Sequence, residues 1–503
     1  MVSTFFGLEI ARRGVLTGKM GLDVTSHNVA NANTEGYSRQ TANISATPSV
    51  YVPGMKPASW PGQIGTGAEV AEIKRYRDDF LDRQYRNENA RLGEWQSRAD
   101  TTQRIQMLLN ETGETGLSKV IDQFWESMQD LTANPNQSGA RSVVVQRGKA
   151  LVETFNHLDR QLTQLQDSIN DDIIGKVRDI NNYADQIVTL NGQIMRIEAK
   201  QGEHANDLRD KRDLLLDKLS KIVGIEVTED TTGMINVSIG NFDLVTALER
   251  DSFILDPEPI NLTDPYSTLN IRWASSSGIV EITGGELYGL LESRNPTGVV
   301  VDTRNRLNNM VKVFSAEFNR IHEQGVTLDQ INKGTANAAS GIKFFVQTNS
   351  AGALIDPLDI ANIKINPLLD DPAQIAAGRP ETYDQIPAAT TTFEGDGRNA
   401  LKLSQLKYAK LDFTPASTMD GFYNTLIGDL GVAGQQNTRM KDNQTTLTNT
   451  IKNQRNSISS VSLDEEMTNM IRFQQAFNAA SRMVSAMDEM LDKLINGMGV
   501  VGR

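Results

Sequence analysis

From Leu463 to Met498, apolar or small residues recur at steps of three and four: Leu463, Met467, Met470, Phe477, Ser481, Val484, Met487, Leu491, Leu494 and Met498. Gln474 alone breaks the row with a large polar group. The spacing predicts a coiled-coil seam along one side of a helix, about 54 Å long if continuous. Ser462 followed by Glu465 fits a capping box, with Asp464, Glu465 and Glu466 at the positive end of the helix dipole. Gly497 and Gly499 end it. A seam of this kind needs a partner.

The first thirty residues offer one. Leu8, Ala11, Val15, Gly18, Leu22, Thr25 and Val29 follow the same steps, and Gly7, Gly14 and Gly21 repeat beside them. Each glycine costs a helix about 1 kcal/mol relative to alanine, so this helix is poor in water alone. Glycines on one stripe also let a second backbone come close. Ordinary packing inside one globular core would explain both segments. The sharper reading is that both ends are weakly ordered alone, and order by packing on each other and on neighbouring copies.

At 503 residues the chain is too long for one compact core, and about three domains are expected. A net charge of −13, without any lysine- or arginine-rich run, argues against nucleic acid as a partner. Aromatic content of 6% suits long helices with much surface better than a thick core. There are no cysteines, hence no disulfides and no thiolate metal sites. No apolar run reaches membrane-spanning length, and Glu9, Arg12 and Arg13 interrupt the only candidate for a secretory signal. Taken alone these facts describe a cytosolic chain. A dedicated export route that reads no cleaved signal escapes this test.

Along the chain, the asparagines of 30–33 and Gly36 predict a helix end and a turn. Four prolines within 44–66 exclude helix and favour an extended crossing. Helical periodicity returns at Asp79, with Leu81, Tyr85, Leu92, Trp95, Ala99 and Leu109 on one face, and again over 117–132. From Gly139 to Leu219 a regular seam runs through Leu151, Phe155, Leu158, Leu162, Leu165, Ile169, Ile173, Val177, Ile180, Ala184, Ile187, Leu190, Ile194 and Ile197. It predicts long paired helices joined near Gly202, with a return helix over 206–222. From Gly224 the period changes to two, and runs at 225–227, 235–239, 269–273 and 280–282 read as strands. Helix signals resume at Gly285 and over 302–323. Residues 332–396 hold five of the fifteen prolines and read as an irregular lobe packed on the helices. A helical block from Leu401 and a long polar helix over 418–458 complete the chain before the terminal seam.

The fold class expected is therefore mainly α with a β insert: terminal coiled-coil helices, a long-helix bundle domain and a small inserted β domain. The expected boundaries are 1–40 with 460–503 for the terminal coiled coil, and 41–223, 284–331 and 397–459 for the bundle. The insert is 224–283, and the lobe is 332–396. The two ends should meet, with the insert farthest from them.

No residue constellation points to catalysis, a cofactor or a metal. The four histidines, His27, His157, His204 and His322, show no metal-ligand spacing and read as surface or packing residues. Gly14 to Lys19 is one residue short of a phosphate loop, and Met20 stands where a hydroxyl is needed. Paired acids such as Glu229 with Asp230, or Asp370 with Asp371, fall in turns. The methionines of the last seam suit packing against several partners better than a cofactor.

Two blocks carry a specific resemblance. Asn28-Val29-Ala30-Asn31-Ala32-Asn33-Thr34-Glu35-Gly36-Tyr37-Ser38-Arg39 resembles the N-terminal signature of bacterial flagellar rod, hook and hook-associated proteins. Ser462 to Glu466, followed by Arg472-Phe473-Gln474-Gln475-Ala476-Phe477, resembles the C-terminal signature of the first hook-associated protein family, FlgK. Gly284 to Leu291 and Phe318 to Gly325 are similar to that family's interior blocks. The resemblance implies a non-enzymatic axial component, self-associated in a ring between hook and filament. Its neighbours would be the hook protein and the second junction protein. It would leave the cell unfolded through the flagellar type III apparatus, without a cleaved signal peptide, and become extracellular. An export chaperone would hold the C-terminal helix. The assembly interface expected is Leu8, Val15, Leu22 and Val29 with Met467, Met470, Phe477, Val484, Leu491 and Leu494. Nucleic acid and membrane insertion are not expected. The nearest alternative is another axial protein: a hook or rod subunit, against which the long seam at 151–197 argues, or a flagellin-like subunit, which growth of filaments from pure protein would distinguish. A wall-degrading hydrolase would need a catalytic domain larger than 332–396.

Overall fold

A computed structural model describes residues 5–49, 65–109, 116–199, 203–256, 268–336, 338–380 and 394–497. Met498, Gly499, Gly202 and most of the proline-rich 44–66 stretch lie outside these residues. The chain opens with helix α1 (Phe6–Ala30), then an antiparallel pair, β1 (Gln40–Ala46) and β2 (Ala68–Arg75), in register Gln40 to Arg75. Gly36 turns the chain between α1 and β1 at φ +82. The β1–β2 pair was not predicted. Ile44, Val70 and Ile73 are its only large apolar residues, and a register shift at Asn43/Ile44 breaks any alternating row where it rests against α1.

Four helices follow: α2 (Asp79–Leu109), α3 (Leu117–Ala133), α4 (Ser138–Glu198) and α5 (Asn206–Ile222). The 61 residues of α4 span about 90 Å. Its seam from Leu151 to Ile187 is buried throughout, while Ile197 at its far end is exposed. The regular spacing of branched aliphatic residues thus had the one outcome available to it, a fully covered helix face.

The β insert comprises β3 (Glu226–Glu229), β4 (Ile235–Ile239), β5 (Phe242–Thr246), β6 (Glu249–Arg250), β7 (Phe253–Asp256) and β8 (Asn270–Trp273). The first four form one antiparallel sheet in chain order, and β7 pairs with β8. β5, β6 and β7 were not expected; Gly240 at φ +60 turns β4 into β5 within two residues and hides that break, while the expected run at 280–282 forms no strand and only Ile279 beside it bridges Arg272. Asn191, fully buried on α4, fastens the insert. Its side-chain amide donates to the carbonyls of Ile235 (2.9 Å) and Ala247 (2.7 Å).

After α6 (Gly285–Arg294) and α7 (Val299–Glu323) come the short α8 (Leu328–Asn332) and β9 (Phe345–Thr348), which pairs with β10 (Leu354–Ile355) and β11 (Lys364–Ile365). Phe344 and Phe345 bring this segment into the helical core, with ring centroids 6.0 and 5.9 Å from Phe124 of α3. Phe314 and Phe318 of α7 complete the cluster. The last elements are α9 (Arg398–Gln405), α10 (Met419–Ser459) and α11 (Leu463–Gly497). α10 lies along α2. There Asn437 donates to Thr102 (3.0 Å) and Gln106 donates to the Leu430 carbonyl (2.9 Å). The fold is mainly α with a β insert.

His322 is a core residue. Its Nε2 accepts the Ala376 N–H (3.1 Å), so Nδ1 carries the proton and donates to the Ile342 carbonyl (2.6 Å). Burial pushes its pKa down to about 4 from 6.5. Between those values the unfolded chain binds a proton that the folded chain refuses. Stability is therefore complete above about pH 6.5 and declines as pH falls towards 4, by up to about 3 kcal/mol. Urea titrations between pH 7 and 4 should show this loss, and His322→Gln should flatten it.

Candidate assembly interface

α1 and α11 pack antiparallel. A Cβ built on Gly7 would strike the end of Met487, and one on Gly14 would lie 3.1 Å from the Ala480 Cβ. At Gly18 it would sit 3.1 Å from the backbone of Phe477, and at Gly21 2.5 Å from the Phe473 ring. The glycines thus seat the second helix close against the first backbone, which explains their spacing.

The contact row on α11 runs through Glu466, Met470, Phe473, Phe477, Ala480, Val484, Met487 and Leu491. It passes one residue before Gln474, which is exposed and does not interrupt it. Of the expected interface residues, Met470, Phe477, Val484 and Leu491 are half-buried on this row. Leu8, Val15, Leu22 and Val29 are half-buried one step beside the glycine stripe. Met467 and Leu494 lie off the row, 59% and 44% exposed. Phe5 at the start of α1, Leu16 and Met20 on it, and Ile471, Met483, Met490 and Ile495 on α11, are also exposed. Two helices alone leave both outer flanks apolar and in water.

A polar cluster closes the base of the pair. Asn28 is buried and its bonds are complete. It donates to the Gln40 carbonyl (2.8 Å) and to Glu466 Oε2 (3.0 Å), and accepts from Gln40 N–H (3.0 Å) and Tyr37 Oη (2.7 Å). Arg39 Nε donates to Glu466 (2.7 Å), its other arm reaches Glu465, and its N–H bonds the Ser459 carbonyl (2.8 Å). Glu465, expected in a capping box, thus serves as an ion partner of the N-terminal block. The two signature blocks meet here.

Beneath lies a charged hub that the periodicity did not reveal. Asp213 of α5 receives Arg75 (3.0 Å), Arg86 (3.2 Å) and Arg77 (3.4 Å). Arg455, near the end of α10, reaches Asp217 (2.6 Å) and Asp82 (3.3 Å) and stacks on Tyr85. Asp210 takes Arg75 (2.7 Å) and the Ser38 N–H (2.8 Å). Four arginines and four aspartates from β2, α2, α5 and α10, with the β2–α2 link, hold the hairpin to the body. Burial pushes the Asp213 carboxyl up, but Arg77, Arg75 and Arg86 outweigh it and hold it well below the usual range.

Residues 102–342 match the model of the flagellar hook-associated protein FlgK helical domain, and residues 452–497 match the C-terminal segment of the flagellar basal body rod FlgEFG proteins. Flagellar hook-associated protein 1 of Bacillus subtilis is 36% identical over 535 residues, covering 100% of both chains. The chain belongs to the flagellar hook-associated protein 1 family. The counterpart in Salmonella typhimurium is 27% identical, covering 97% of this chain and 98% of that one. The flagellar hook junction protein FlgK of Burkholderia pseudomallei shares the fold at a TM-score of 0.59 and 16% identity, over 76% of this chain and 100% of that chain. The rod-protein match is confined to residues 452–497, the end of α10 and α11, whereas hook-associated protein 1 is matched end to end. That sets aside a hook, rod or flagellin-like subunit. Hook-associated protein 1 is a structural protein of the bacterial flagellum, and this chain is one.

Proposed function

We propose that the chain is an axial subunit at the junction of hook and filament, assembled through α1 and α11. As a flagellar axial protein it is exported and external, and it associates with hook components. The observation that carries the assembly reading is the two-helix pair with exposed apolar flanks. Met467, Leu494 and Ile495 find cover when pairs from neighbouring copies stand side by side in a ring. The row Met470, Phe477, Val484 and Leu491, with Leu8, Val15, Leu22 and Val29, is the seam of each pair. Before assembly the same flanks suit an export chaperone that covers α11. A chain without cysteines threads a narrow channel free of cross-links, consistent with export without a cleaved signal. The division into terminal coiled coil, helical body, β insert and the 332–396 lobe fits this role, with the terminal pair as the polymerising part.

Deletion of the gene tests the reading. Hooks without filaments, with filament subunits lost to the medium, are expected. Cells with normal filaments would contradict it.

A further inference from the structure

The packing of α1 on α11 is degenerate along most of its length. Gly7, Gly14 and Gly21 recur every seven residues, and their partners Met487, Ala480 and Phe473 recur every seven in the opposite direction. Sliding one helix by seven residues, about 10 Å, places small residues against apolar ones again. In one direction Gly7 meets Ala480 and Gly14 meets Phe473. In the other, Gly14 meets Met487 and Gly21 meets Ala480. Apolar contact alone distinguishes these registers poorly.

The fourth step of the same repeat is different. Seven residues past Gly21 stands Asn28, and seven before Phe473 stands Glu466, and these two meet at 3.0 Å. Both side chains are buried, at 1% and 2% exposure. Glu466 is held from its other side by Arg39. A slip in the first direction puts the Glu466 carboxylate against Gly21, with neither amide nor guanidinium. A slip in the second puts Phe473 against Asn28 and leaves its amide and Arg39 unmatched. Buried polar groups are costly when unpaired, so every slipped register is disfavoured by this one layer. We infer that Asn28, Glu466 and Arg39 are the register lock of the terminal helix pair: Glu466 is a specificity-determining residue that selects one axial alignment of α11 on α1. The inference rests on the pairing within one chain and not on the junction role, so its test uses the free full-length protein.

The chain has no cysteines, so introduced pairs report register without background. Gly14→Cys with Ala480→Cys reads the native alignment, since the Cβ separation of 3.1 Å is close to the roughly 3.5–4.5 Å of a disulfide. Gly14→Cys with Phe473→Cys, and Gly14→Cys with Met487→Cys, read the two slipped alignments through the one glycine of the stripe whose added Cβ meets only the Ala480 Cβ. Under mild oxidation the parent should cross-link only through the native pair. In Glu466→Leu a slipped pair should form at least tenfold more than in the parent. Glu466→Gln, which keeps an acceptor for Asn28, should restore native-only cross-linking. Far-UV circular dichroism verifies that each variant is folded. Native-only cross-linking in Glu466→Leu would overturn the inference. So would loss of all three cross-links, which would make Glu466 a general clamp without influence on register.

Discussion

Phe477→Asp should abolish swimming and filament attachment while the helical body melts as in the parent. Phe477 meets α1 where the two backbones come nearest, at Gly18. Removing a large aromatic from such a contact costs about 3 kcal/mol, roughly a hundredfold in the pairing equilibrium. Placing a carboxylate against small and apolar residues adds a desolvation cost. α11 packs on α1, while the body has its own core around Phe124, Phe314 and Phe318, so the body transition should not move. Motility assays, electron microscopy of hooks and calorimetry of the purified variant read these outcomes. A motile strain would remove the seam from the account.

The opposite pattern is expected of Asp213→Ala. Here the body itself should lose about 3–5 kcal/mol, the usual consequence of removing one partner from a buried ion network. Arg75, Arg77 and Arg86 would keep their charge and lose their shared acceptor. The pH dependence gives a second reading of the same group. Asp213 has a folded pKa below its unfolded value of 3.8, so its contribution is present above about pH 4 and is lost as pH falls below it. Urea unfolding should therefore show a smaller acid loss below pH 4 in Asp213→Ala than in the parent. Equal stability of the two proteins at pH 7 would show that the hub is electrostatically neutral to folding.

These two sites differ in how far the sequence revealed them. α4 was readable because one face of it is apolar at every turn and that face is buried. α11 was readable as a helix, but its phase was not. It is apolar on both sides, and only the α1 glycines select the row through Phe473 over the one through Gln474. On α2, Ala99 and Leu109 are buried as expected, but the first turns were misread: Asp82, Arg86, Asn89, Gly93 and Ser97 are buried there and Leu92 and Trp95 are not. Charges that neutralise each other across 130 residues, as Arg86 and Asp217 do, leave no local period to find. The signature blocks at Asn28–Arg39 and Ser462–Glu466 were visible as blocks. That they touch follows from tertiary packing, although the heptad step from Gly21 to Asn28 was a usable signal.

On the proposed reading, α1 and α11 form an unfinished surface, completed by neighbouring copies. Amide hydrogen exchange on dilute monomer and on assembled junctions measures this directly. In the monomer, α1 and α11 should exchange at least about a hundredfold faster than the buried turns of α4 between Leu162 and Ile187, and assembly should slow them towards the α4 rate. Terminal helices already as protected as α4 in the dilute monomer would mean that the pair is complete without its neighbours.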